Sequence, residues 1–236
     1  MSPDGDSARQ GRASLSARPD AADPTEPAGP GEHELGVADG RNALLYVPAE
    51  AERPMPLVVS LHGAGGSARG GLDLLRHAAG EHRFAVLAPA SRGSTWDAVG
   101  GDYGPDVAVL DRSLRRTFEL VRIDPERISV AGFSDGASYA LGLGLANGDL
   151  FGGIAAFSPG YVPSADRVGE PRVFVSHGVA DEVLPIGRTS RRIVPALERD
   201  GYDVTFVEFD GGHAVPPDMV EQAAGALGWA GAPGAP

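Results

Sequence analysis

Ser134 stands in the pentapeptide Gly132, Phe133, Ser134, Asp135, Gly136, directly after the apolar run Ile128 to Ala131 and ahead of a helical stretch. A Ser between two glycines in a strand, turn, helix context fits a turn too tight for a Cβ at either flank, with the hydroxyl held clear of the packing. A hydroxyl is a poor nucleophile at neutral pH, so it needs a base within hydrogen-bond reach and a carboxylate to orient that base. Both follow downstream in the order Ser, acid, His. The run Val173 to Val175 continues through Ser176, His177, Gly178, Val179 and Ala180 to the carboxylates Asp181 and Glu182. The run Val204 to Phe209 is followed by Asp210, Gly211, Gly212 and His213. Taken singly, each has an ordinary explanation: a Ser or Asp capping a helix, a His in a loop. Three such residues in this order, each just past a strand end, point to a Ser, His, acid relay for acyl transfer.

Acyl transfer builds negative charge on the carbonyl oxygen, which calls for backbone donors already in place. The run Leu57 to Leu61 leads into His62, Gly63, Ala64, Gly65 and Gly66, small residues that let the backbone approach a substrate oxygen. The N–H groups of Ala64 and Asp135 are the expected oxyanion donors, and His62 is expected to brace the loop. The stretch from Gly63 to Ala68 also fits the GxGxxA variant of the dinucleotide fingerprint. That reading needs an acidic residue at the end of the next strand to hold a ribose. The next strand instead runs into Pro89, Ala90, Ser91 and Arg92, leaving only the Arg as a partner for a 2′-phosphate.

The elements that must position these residues are legible as short apolar runs at Ala43 to Val47, Leu57 to Leu61, Ala85 to Ala88, Ile128 to Ala131, Ile154 to Phe157, Val173 to Val175 and Val204 to Phe209. Most lack polar alternation, as strands covered on both faces do. Between them Val107, Leu110, Leu114, Phe118 and Val121 recur at helical spacing, and Ala137 to Asn147, Ile186 to Arg199 and Pro216 to Leu227 read as further helices. The pattern predicts an α/β fold: an open, mostly parallel sheet with helices on both faces and its site at the carboxyl ends of the strands. Residues 35–229 form the expected single domain. Residues 1–34, rich in Pro, Gly, Ala and Asp with Leu15 as the only large aliphatic residue from Ser2 onward, are expected to be a disordered tail, and so are residues 230–236.

Of the 236 residues 42% are hydrophobic and 22% charged, the composition of a soluble globular protein with no membrane span. The formal charge of −12 repels nucleic acid and anionic membranes. The absence of Cys removes thiol nucleophiles, thiolate metal sites and disulfides. No cofactor and no metal are expected. The amino-terminal stretch lacks the basic start and apolar run of a secretory signal, which predicts a cytoplasmic location. Oligomeric state is not legible.

The sequence resembles the α/β-hydrolase superfamily, and within it the small serine esterases of the phospholipase/carboxylesterase group, with a likeness to polyhydroxybutyrate depolymerases and feruloyl esterases. The carrying stretches are LHGAGG at 61–66, DVAVL at 106–110, IDPERISVAGFSDGASYAL at 123–141, HGVADEVLPI at 177–186 and GGHAVP at 211–216. The resemblance implies Ser134 as nucleophile, His213 as base and Asp181, rather than Glu182, as the acid. It departs from secreted depolymerases, which carry a signal and paired Cys. The expected function is cleavage of small-molecule carboxylic esters of short to medium acyl length at an open site. The interval from Phe157 to Arg172 is too short for a large lid. Trp96, Tyr103 and Tyr161 are expected as apolar walls, with Pro159, Tyr161 and Val162 bordering the acyl pocket. A thioesterase, acyl-protein hydrolase or peptidase would use the same relay, and a non-catalytic binding scaffold would be expected to have lost part of it.

Overall fold

The computed structural model describes residues 13–230 apart from Ala21, Thr25, Asp39 and Glu50. Its strands are β1 (Gly31–Glu34), β2 (Leu44–Val47), β3 (Met55–Leu61), β4 (Ala85–Ala88), β5 (Ile123–Phe133), β6 (Gly153–Phe157), β7 (Arg172–Gly178) and β8 (Val204–Phe209). They form one sheet in the order β1-β2-β4-β3-β5-β6-β7-β8. Pairing is antiparallel from β1 to β2 and from β2 to β4, and parallel across the rest. This is the open, mostly parallel sheet that the apolar runs predict. The seven apolar runs fall on its strands β2 to β8: β4 and β8 keep the expected bounds, β2 starts one residue later, and β3, β5, β6 and β7 are longer than their runs.

Helices α1 (Ala68–His82), α2 (Asp97–Gly100), α3 (Pro105–Leu120), α4 (Asp135–Ala146), α5 (Ser190–Arg199) and α6 (Pro217–Leu227) fill the crossovers. Ser67 caps α1, its hydroxyl accepting the Gly70 N–H at 3.4 Å, and Pro105 occupies the first turn of α3, where a missing N–H costs nothing. Alternation along each strand divides the apolar residues between two faces. Leu57, Val59 and Leu61 meet Leu110 and Leu114 of α3, Leu141 of α4 and Ile193 of α5. Val58, Val86 and Phe174 meet Leu72 and Leu75 of α1 and Met219 and Val220 of α6. Every residue of α4 after Asp135 is buried, and its glycines allow that burial: a Cβ on Gly144 would lie 2.5 Å from Ile154.

The expectation of a disordered tail over residues 1–34 is corrected for the described part. Gly31–Glu34 is the edge strand β1. Upstream, Ala13, Leu15 and Ala17 are buried while Ser14 and Ser16 are exposed, the period of an extended segment lying on a surface. The carboxamide of Asn147, at the end of α4, accepts the Leu15 N–H at 2.7 Å and donates to the carbonyls of Ala13 at 2.7 Å and Leu143 at 2.8 Å. Asp111 of α3 accepts the amides of Ser16 and Ala17. The segment has too few apolar residues to form structure alone, and it is ordered by a surface that supplies partners for its backbone. Residues 1–12 and 231–236 lie outside the described residues. Among the described residues no helix is long and apolar enough to cross a membrane.

Asn147→Ala leaves the Leu15 N–H and the Ala13 carbonyl without their partner. We expect a loss of about 1–3 kcal/mol in urea unfolding, with faster proteolysis ahead of β1.

Candidate active site

The carboxyl ends of β3, β5, β6, β7 and β8 converge, and all the residues of the expected relay lie there. At the end of β5 the chain reverses through Ser134, whose φ of 57° and ψ of −119° lie outside the regions open to most L-residues. A Cβ on Gly132 would sit 2.2 Å from the Gly136 carbonyl oxygen, and one on Gly136 would sit 2.2 Å from the Leu61 carbonyl oxygen. The turn therefore closes only with glycine at both flanks. The Ser134 N–H is tied to the Phe157 carbonyl at 2.9 Å, which fixes the turn against β6.

The Ser134 hydroxyl donates to His213 Nε2 at 2.9 Å, and His213 Nδ1 donates to Asp181 Oδ2 at 2.6 Å. His213 lies past β8 in a loop laid over the end of β7: Ala180 N–H donates to the Gly211 carbonyl, and a Cβ on Gly178 would sit 2.3 Å from the Gly212 carbonyl. The Phe133 ring packs against the imidazole at 4.7 Å. Asp181 is buried, and its Oδ1 accepts the amides of Val183 at 2.9 Å and Leu184 at 2.8 Å. Burial pushes its carboxyl up. The Leu184 amide and the bond and charge of His213 outweigh that, so the net shift is below the usual carboxylate range. Glu182 is exposed.

His177 is the residue at this site to which the sequence reading gave no role. Its Nε2 lies 2.8 Å from the Leu184 carbonyl and 3.2 Å from Asp181 Oδ2, while Nδ1 accepts from the Ser190 hydroxyl at 2.7 Å. The imidazole thus braces the acid loop from beneath. Burial holds its pKa below the ordinary histidine value. Its only signal in the sequence is its place at a strand end, four residues before Asp181.

The loop after β3 lies against the nucleophile turn, since Leu61 pairs with Gly132 and a Cβ on Gly63 would touch Ser134 Cβ at 3.5 Å. His62 braces it as expected. Its Nε2 accepts the Ser91 N–H at 3.0 Å, its Nδ1 donates to the Gly63 carbonyl at 2.7 Å, and burial lowers its pKa. Arg41, ahead of β2, clamps the same loop from outside, donating to the carbonyls of Ser91 and, at 2.7 Å, Gly66. The Gly65 N–H donates to Ser94. Ala64 carries no backbone hydrogen bond among the described residues and is exposed, next to the Ser134 turn whose following residue is Asp135.

The expected walls divide. Trp96 is 1% exposed, which corrects its placement at the substrate: its ring stacks on Tyr139 at 5.1 Å and its indole N–H donates to the His62 carbonyl at 2.8 Å. Tyr103 and Pro159 are buried as well. An aromatic residue in a loop does not reveal from sequence which way it turns, and here the Asp97 and Asp106 carboxylates fold the loop inward. Asp106 accepts the amides of Arg92 at 2.6 Å and Asp97 at 2.8 Å, and Asp97 in return accepts those of Gly104 and Asp106. Tyr161 does face solvent, its hydroxyl donating across to the carbonyls of Ala98, at 3.2 Å, and Val99. Val162 is half-buried and packs on the core. Burial and the charge of Asp135 raise the Tyr161 pKa.

The sequence pattern of the phospholipase/carboxylesterase family matches residues 108–228. The protein described as probable feruloyl esterase C of Aspergillus oryzae is 23% identical over 224 residues, 79% of this chain and 80% of that protein. The crystal structure of esterase PE8 superposes with a TM-score of 0.64 at 26% identity, covering 78% of this chain and 95% of that one. Acetyl xylan esterase from Aspergillus awamori gives 0.66 at 15% identity, covering 84% and 99%, a likeness of fold.

Burial holds the pKa of His62 and His177 in the fold below the ordinary histidine value, while in the unfolded chain both take up a proton as the pH falls through about 6.5. The unfolded state then binds more protons, so stability falls on acidification. The urea midpoint should drop between pH 7 and pH 5.5, with a shallower slope in His177→Gln.

Proposed function

Because this chain belongs to the phospholipase/carboxylesterase family and is a carboxylic ester hydrolase, we propose that it cleaves small carboxylic esters through a Ser134 acyl-enzyme. The observation that carries this reading is the unbroken path from Ser134 Oγ through His213 to Asp181 at 2.9 and 2.6 Å. His213 takes the hydroxyl proton as Ser134 Oγ bonds to the ester carbonyl carbon. Asp181 holds the Nδ1–H tautomer and stabilises the imidazolium. The N–H groups of Ala64 and Asp135 receive the developing oxyanion. His213 then returns the proton to the leaving alcohol. A water molecule attacks the acyl-enzyme by the same route in reverse, releasing the acid and restoring Ser134.

Supporting an open site for short or medium acyl groups, the segment between β6 and β7 contains no helix, and Tyr161 and Val183 stand exposed beside the relay. Asp181 carries a second task in this reading. It orients His213 with Oδ2 while its Oδ1 folds its own loop, so removing it disturbs both.

The test is hydrolysis of p-nitrophenyl esters of increasing acyl length, with a thioester and an anilide in parallel. Ser134→Ala should abolish turnover, and Asp181→Asn should lower kcat about 10⁴-fold with the far-ultraviolet spectrum unchanged. Full activity in Ser134→Ala would overturn the mechanism. A thioester or anilide preferred over every ester would replace the substrate class.

A further inference from the structure

Asp135 follows the nucleophile, and its side chain is half-buried at the site rather than turned into a salt bridge. Its Oδ2 accepts the Thr95 hydroxyl at 2.7 Å, and among the described residues no Arg or His pairs with it. Thr95 lies next to Ser94, which holds the Gly65 N–H of the loop after β3, so the carboxylate is anchored on the wall of the expected oxyanion pocket. Tyr161 bonds to the same segment three and four residues beyond Thr95, and the Gly160 N–H before it donates to the Ser138 hydroxyl one turn along the helix that Asp135 begins. The phenol is pinned by the Ala98 and Val99 carbonyls, the residue is 40% exposed, and the charge of Asp135 acts on it.

A carboxylate at this place opposes the negative charge that acyl transfer builds beside it. The N-terminal end of α4 offsets part of that opposition, and a cation supplied by the substrate would offset more. A pinned aromatic ring beside a carboxylate without a counter-ion is the chemistry that recognises an ammonium group. The chain's charge of −12 favours the approach of such a substrate.

We propose that Asp135 and Tyr161 form a subsite for a cationic group on the ester, making this enzyme selective for ammonium-bearing over uncharged substrates. The proposal rests on the ester-hydrolase reading above and names the substrate class of that site.

Two isosteric pairs test it, one with the charge on the alcohol and one on the acyl group. They are acetylcholine against 3,3-dimethylbutyl acetate, and p-nitrophenyl 4-(trimethylammonio)butanoate against p-nitrophenyl 5,5-dimethylhexanoate. The readout is the ratio of kcat/KM within a pair, which divides out any change in the chemical step common to both esters. In the wild type at least one pair should favour the cation by about tenfold, falling toward unity in Asp135→Asn and severalfold in Tyr161→Leu. Should Asp135→Asn fail to fold, the wild-type ratio should still fall toward unity as NaCl rises to about 1 M, because the attraction is Coulombic. A wild-type ratio near unity for both pairs, a preference retained in Asp135→Asn, or one indifferent to salt would overturn the subsite. p-Nitrophenyl butyrate with Ser134→Ala is the separate control. If the wild type hydrolyses it and the variant does not, failure of the ratios removes the subsite alone. If neither does, the ester-hydrolase reading falls first.

Discussion

The left-handed turn at Ser134 is the constraint on which the carboxyl edge of the sheet depends. With Ser134 at a φ of 57°, the strand before it and the helix after it come so close that Gly132 and Gly136 have no room for a Cβ. Such a conformation costs of order 1–3 kcal/mol and persists only where its surroundings enforce it. They do so here through the Phe157 carbonyl on the Ser134 amide, the Leu61 and Gly132 pairing, and a helix buried along its whole length. The strain puts the hydroxyl within reach of a base that arrives from a different strand.

The second organising feature is one buried carboxylate serving two imidazoles. Asp181 Oδ2 meets His213 at 2.6 Å and His177 at 3.2 Å, while Oδ1 takes the amides of its own loop. The two histidines differ in surroundings. His177 is enclosed, with the Leu184 carbonyl and Asp181 sharing its Nε2 and the Ser190 hydroxyl on its Nδ1. His213 is partly open to solvent and has Ser134 on its free nitrogen. The same carboxylate thereby supports a structural imidazole and an accessible one.

The loop after β3 shows how far such a site reaches into the molecule. Its shape is set by His62, by Arg41, and by Trp96, which is held in place by stacking and by the paired Asp97 and Asp106 carboxylates. Burial pushes the Asp106 carboxyl up, and the amides of Arg92 and Asp97 offset part of that. The packed amino-terminal segment reaches the same helix from the other end, since Asn147 closes α4 while holding Leu15 and Ala13.

The sequence by itself determined the features that follow from local pattern. Apolar runs marked the strands from β2 to β8, most clearly β3, β4 and β6, where a strand covered on both faces has no polar alternation to show. The glycines around Ser134 and the order of Ser134, Asp181 and His213 marked strand ends, and the structure brings those residues into hydrogen-bond contact. Tertiary structure alone decided the remainder. Trp96 and Tyr161 are both loop aromatics, yet one is sealed behind the site and the other stands at its edge: the paired Asp97 and Asp106 carboxylates and the His62 carbonyl turn Trp96 inward, while Tyr161 is held only by its hydroxyl on the Ala98 and Val99 carbonyls. His177 gained its partners only when β7 met α5 and the acid loop. Residues 13–20 lack the apolar content to signal structure and are ordered by Asn147 and Asp111, about a hundred residues distant or more. Backbone groups satisfied by remote side chains leave no local periodicity, so no pattern in the sequence announces them.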